Sequence, residues 1–279
     1  MMNADMRIRE DALRGVVTPG LLITDTHTHY NLGEYSTTYL KSIPFEETLR
    51  KVKSIGITSM VMSSNDCLLG NMTEGNRKAF DAAEAHPDFI KAQMVFDPRK
   101  GDKALYELEE YEKHPLFAGV KIHPRENAVR ADDERYYPLY EYAEKRRIAV
   151  TSHTWDGEAN NTPADYFAIM EKFPRLAMIM GHMGGTRKGI IDSCELAARY
   201  PYVYLDINGS LYSETWLECL VEEAVFERLI FGTDQAFNDP RIVVGRVLLA
   251  KIPDEQKRDI LHYNYQRLKD RLAAESSAQ

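Results

Sequence analysis

Two histidines spaced one residue apart, His27 and His29, follow the apolar run Leu21–Leu22–Ile23 and the acid Asp25. On an extended strand, successive side chains alternate between faces, so these two imidazoles project the same way, with Asp25 behind them. Paired neutral imidazoles are good joint donors to Zn²⁺ or a similar first-row ion. Further apolar runs end in residues able to ligate or to titrate: Lys121 and His123, His153, His182, Asp206 and Asn208, and Asp234. Asp234 is a carboxylate placed to ligate a metal and to accept a proton from an activated water, the general-base role that hydrolysis requires.

These residues must be carried on repeated elements, and the chain supplies eight apolar runs. After the first come 56–65, 89–97, 117–123, 147–153, 176–182, 202–208 and 228–234. Each starts roughly thirty residues after the last, the length of one strand and one returning helix. Between them lie stretches of helical periodicity, such as 139–147 after Pro138, 164–172 after the Thr162–Pro163 start signal, 186–200 and 213–226. The spacing predicts an α/β fold, a single-domain (β/α)₈ TIM barrel with its metal site at the C-terminal mouth of the strands. The expected organisation is an N-terminal extension over 1–20, the barrel over 21–272 and a flexible tail over 273–279.

Five of the eight histidines fall at strand ends, where side chains converge on one mouth. His86 and His114 each precede a proline and read as helix-ending residues, and His262 belongs to the last helix. Composition is that of a mildly acidic enzyme: 35 Lys and Arg against 43 Asp and Glu give a formal net charge of −8. There is no basic stripe for nucleic acid, no signal-peptide core and no apolar membrane span. Three scattered cysteines, Cys67, Cys194 and Cys219, lack metal-binding spacing and read as buried or partly buried thiols of a reducing cytoplasm. The glutamates at 107, 109, 110 and 112 read as a solvated outer face.

The motifs Asp25-x-His27-x-His29, His153, Gly181-His182-Met183-Gly184-Gly185 and Gly232-Thr233-Asp234 appear in that order, and together the chain resembles the amidohydrolase superfamily. The resemblance is nearest to the amidohydrolase-2, or amidohydrolase-related, branch of metal-dependent hydrolases and decarboxylases. It implies that His27, His29, His153 and Asp234 hold one divalent metal, most often Zn²⁺ with Mn²⁺ as the alternative. His182 then completes the site or stands beside it to orient water or donate a proton, and the second job is favoured. It also implies a possible carboxylated Lys121 bridging two metals; one metal is favoured, with Lys121 and His123 then facing the substrate.

Further candidates for substrate contact are Arg99 and Arg125, as carboxylate clamps, Tyr30 and Trp155, as pocket walls, and Asn208. The segment from Tyr30 to Phe45 reads as a lid or an Ω-loop. The activity expected first is hydrolysis of a small amide, lactone or ester by a metal-activated water. Second is non-oxidative decarboxylation of an aromatic or unsaturated acid. The expected partner is a small-molecule substrate, in a homodimer by base rates.

Overall fold

The computed structural model of the chain describes residues 6–30, 43–209, 215–223 and 225–277. Eight parallel strands follow one another in a single sheet in sequence order: β1 (Thr24–His29), β2 (Ser59–Ser63), β3 (Ile90–Val95), β4 (Phe117–Ile122), β5 (Ala149–Trp155), β6 (Ala177–Gly184), β7 (Val203–Asp206) and β8 (Leu229–Ile230). Backbone hydrogen bonds from β1 to the residues after β8 close the ring: Thr26 N donates to Phe231 O at 2.9 Å, and Asp234 N to His27 O at 2.8 Å. The architecture is the (β/α)₈ barrel that the spacing predicts; β2, β3, β4, β7 and β8 fall inside their runs, β1 follows directly on the Leu21–Ile23 run, and β5 and β6 each extend two residues beyond theirs.

The outer layer is α1 (Arg7–Leu13), α2 (Phe45–Ser54), α3 (Met72–Ala85), α4 (Asp102–Tyr111), the short α5 (Pro124–Asn127), α6 (Tyr137–Arg146), α7 (Tyr166–Lys172), α8 (Arg187–Arg199), α9 (Trp216–Glu223), α10 (Pro240–Leu249), α11 (Asp254–Arg258) and α12 (Asn264–Ser277). Outward-facing strand residues such as Met60, Met62, Met94, Ile122, Val150, Met178 and Leu205 pack against these helices in the main apolar core. A second cluster lies at the base of the barrel interior. There Val61, Ala149, Ile179, Tyr204 and Ile230 meet Tyr265, Leu268 and Leu272, so α12 lies across the end opposite the histidines.

Several local expectations change. Thr186 caps α8 by accepting from Gly189 N at 3.1 Å, but Thr162 makes no side-chain cap and opens a 3₁₀ turn ahead of α7. α12 continues to Ser277, so most of the expected tail is helix. Glu107 is buried and accepts from Thr73 rather than facing solvent, and Cys219 is exposed rather than buried. His86 and His114 bond to Glu46 and Glu84, in keeping with structural roles. Residues 31–42 of the expected lid, and residues 213–214 and 224 of one expected helix, lie outside the described residues. No helix among the described residues is long and apolar enough to cross a membrane.

Candidate metal centre and active site

The mouth of the barrel starts from β1. Its threonines are outward anchors: Thr26 and Thr28 donate to the carbonyls of Phe231 and Val61 on either side, which leaves His27 and His29 for the interior. The register of β1 against β2 shifts between Asp25 and Thr28. The Asp25 carboxylate is held by the residues after β8, accepting from Thr233 N at 2.9 Å and Thr233 Oγ1 at 2.5 Å. Burial raises its pKa to about 7 against those hydrogen bonds.

His27 fits where two other strands carry no side chain. A Cβ on Gly181 would lie 3.1 Å from the His27 ring, and one on Gly232 would lie 2.7 Å from His27 Cβ and 2.5 Å from Asp206 Oδ1. Nδ1 of His27 lies 2.6 Å from Asp206 Oδ2, and Asn208 Nδ2 stands 2.6 Å from that ring nitrogen while donating to the same Asp206 oxygen at 2.9 Å. A carboxylate behind one ring nitrogen fixes the tautomer and turns the lone pair of the other toward the cavity. That lone pair, on Nε2, meets the Lys121 amine at 2.6 Å.

Donor atoms of His27, His182 and Asp234 all lie within 4.8 Å of one another, and all three residues are buried. Burial, with the neighbouring Lys121 charge, holds His27 well below its ordinary pKa; burial and His153 pull His182 down to about 3. Burial pushes Asp234 up, but the hydrogen bond from His29 and the charges around it win, and it lies below the usual carboxylate range. Two neutral imidazoles and one ionised carboxylate are the protonation states that a divalent ion needs of its ligands, so the cluster fits a metal.

The remaining expected ligands stand around this cluster. Nε2 of His29 donates to Asp234 Oδ1 at 3.1 Å, while Asn238 Nδ2 donates to the other oxygen at 3.1 Å. His153 Nε2 points at Glu158 Oε2, 3.3 Å away, and its ring stacks on His123 with centroids 4.0 Å apart. The geometry thus groups His182 with His27 and Asp234, keeps His29 against Asp234, and turns His153 to Glu158.

A cavity of about 360 Å³ opens above the cluster. Lys121, His123, Arg125 and Trp155 line it, as expected. Three expected contacts stand elsewhere. Arg99 is held in two hydrogen bonds, both 2.8 Å, by its own neighbour Asp97; Tyr30 packs on Phe45; Asn208 is buried behind His27. Sequence reasoning passed over Glu158, Phe237 and Asn238, all in the lining. Their signal was position alone, since each follows a ligand-bearing strand by a few residues. Glu158 accepts from His153, Asn161 and Arg125, which hold its pKa at about 2 against burial.

A family model described as amidohydrolase matches residues 25–268, from Asp25 through the last strand and into α12. The chain belongs to the amidohydrolase family. Among solved structures, this chain is similar to 5-carboxyvanillate decarboxylase from Sphingomonas paucimobilis (TM-score 0.72, 15% identity, covering 89% of this chain and 99% of that one). It is similar also to 2,6-dihydroxybenzoate decarboxylase from Rhizobium (TM-score 0.71, 17% identity, 90% and 98% covered). A third is a dihydroxybenzoic acid decarboxylase from Polaromonas, solved with bound manganese and the inhibitor 2-nitroresorcinol (TM-score 0.69, 17% identity, 89% and 96% covered). At these identities the likeness is one of fold.

Proposed function

We propose that this amidohydrolase-family chain is a metal-dependent, non-oxidative decarboxylase of an aromatic or unsaturated carboxylic acid. One observation carries the reading: the buried Lys121 lies at the floor of the cavity with the ionised Asp234 and the neutral His182, while Arg125 at the mouth is paired with Glu158 at 2.6 Å. A cation beside the reacting centre suits a substrate that is itself an acid; a neutral amide or lactone does not call for it. The volume is near the lower end of the ~300–1,000 Å³ of small-molecule pockets and suits a single ring. Decarboxylases recur among the similar folds, which reverses the order in which the sequence alone ranked hydrolysis and decarboxylation.

A divalent ion held by His27, Asp234 and His182 would supply Lewis-acid stabilisation of charge building on the substrate's oxygens. The donors contain nitrogen and oxygen and no thiolate, which suits Zn²⁺ or Mn²⁺. The chain's own residues do the rest. Lys121 offsets the substrate's charge, and Trp155 walls the ring. As the bond to the carboxyl carbon breaks, CO₂ leaves and its electron pair stays on the ring carbon, which must then take a proton. Asp234 is ionised at rest, so the proton it delivers must first come to it from solvent, and the negative charge of the substrate beside it offsets part of the pull of Lys121 and of the ion it would hold. It then delivers the proton to carbon.

Hydrolysis would use the same Asp234 as base toward water, and the family description keeps it as the second reading. A panel of hydroxylated benzoates, against small lactones and amides, separates the two. The metal-loaded protein is expected to release CO₂ from at least one benzoate; turnover of a lactone or amide, with no CO₂ from any acid, would replace this reading with the hydrolase.

A further inference from the structure

The larger of the two cavities at the ends of the barrel is at the base, about 570 Å³ between α12 and the N-terminal ends of β1 to β5. It exists because the strands present little bulk there. Ala118, Gly119 and Ala149 supply almost no side chain, and Gly119 has no room for one: at φ +124, a Cβ would stand 2.6 Å from Ala149 O. α12 spans the gap with Tyr265, Leu268 and Leu272, which, with Phe117, make apolar walls.

The charge around this cavity is unlike that of the chain. Against a net −8 overall, the lining holds four cations, Lys91, Arg146, Arg147 and Lys269, and one carboxylate, Glu112. Two of the cations are already engaged: Arg146 pairs with Glu112 at 2.8 Å, and Arg147 donates to Arg175 O at 3.0 Å and lies 3.5 Å from Glu275. The lysines are not. Lys91 Nζ donates only to the backbone carbonyl of Pro87 at 3.1 Å, and Lys269 Nζ lies 5.9 Å from the Tyr265 ring centroid; neither makes an ion pair among the described residues. Glu112 is further occupied by the Tyr142 hydroxyl at 2.5 Å.

We infer that the base of the barrel is a second binding site, for a small organic anion: one acid group, met by Lys91 and Lys269, on an apolar body lodged against Phe117, Tyr265 and Leu272. An apolar chamber with unpaired cations at its lining binds such an amphiphile through burial of its body and attraction of its head, and the second contribution weakens with salt. The site is separate from the catalytic mouth and shares no lining residue with it.

The test uses the full chain and the fluorescent sulfonate 8-anilinonaphthalene-1-sulfonate, with the uncharged N-phenyl-1-naphthylamine as control. The sulfonate is expected to bind saturably, with affinity falling as salt rises. Lys91→Glu with Lys269→Glu, both changes on side chains reaching solvent, should weaken it at least about tenfold at unchanged melting temperature. Arg125→Gln at the mouth should leave it unchanged. Ala149→Leu, which fills the chamber, should abolish binding of both probes; if that variant does not fold, the lysine pair alone decides. Absence of saturable binding overturns the proposal, as does binding that survives both lysine reversals. Binding lost with Arg125→Gln would place the probe in the catalytic cavity and overturn it equally.

Discussion

The Lys121 amine lies 2.6 Å from His27 Nε2, on the lone pair that a metal would use. Burial lowers the lysine's pKa to about 8 against the pull of Asp234 and Asp206, and even there most of it is charged at neutral pH. An incoming divalent ion must therefore displace one cation from His27. Lys121→Met, similar in length and uncharged, should raise the affinity for a single divalent ion by about tenfold in isothermal titration. Loss of metal from that variant would instead make Lys121 a ligand and support a bridged pair of ions.

The ligand set separates the geometry from the resemblance. The geometry places His182 with His27 and Asp234 and ties His153 to Glu158. His27→Ala should lose metal under either arrangement. His182→Ala should lose it too, by at least about 10²-fold in affinity, while His153→Ala keeps it. The reverse pattern, by elemental analysis on folded protein, would restore the ligands that the family resemblance implies and leave His182 with proton transfer.

Gly232 leaves the space in which His27 and Asp206 meet. Gly232→Ala introduces a methyl 2.5 Å from Asp206 Oδ1, so one of the two must move. Overpacking of this kind costs about 1–3 kcal/mol, and the expected result is a lower melting temperature together with weakened metal binding. A variant as stable and as metal-loaded as the parent would show that the pair tolerates displacement.

Asp234 is approached by His29 on one oxygen and Asn238 on the other, which sets the direction of the carboxylate. Asp234→Asn keeps its size but cannot take up and deliver a proton. Turnover should fall by at least about 10²-fold, with a much smaller change in stability. Near-normal turnover would assign the proton to another residue.

Much of this was legible in the chain because a (β/α)₈ barrel repeats one unit. Periodic apolar runs gave the strands, and the rule that strand ends converge placed His27, His153, His182 and Asp234 at one mouth. What could not be read were contacts set by chain reversals and register. Asp25 is tied to Thr233, more than two hundred residues away in the chain, a partner that alternation along β1 does not name. Arg99 resembled a clamp, yet its own neighbour Asp97 satisfies it, a local bond invisible in residue type. Glu158 and Asn238 lie in loops, where no periodicity marks a side chain as inward.

The most direct measurement follows a carboxyl-¹³C-labelled hydroxybenzoate panel by NMR with the metal-loaded protein in D₂O. Labelled CO₂ and bicarbonate are expected in step with a product deuterated at the carbon that lost the carboxyl group. Both signals should vanish with Asp234→Asn and with chelation of the metal. Intact labelled acids throughout, while the same preparation opens a lactone or cleaves an amide, would contradict decarboxylation and make the chain a hydrolase.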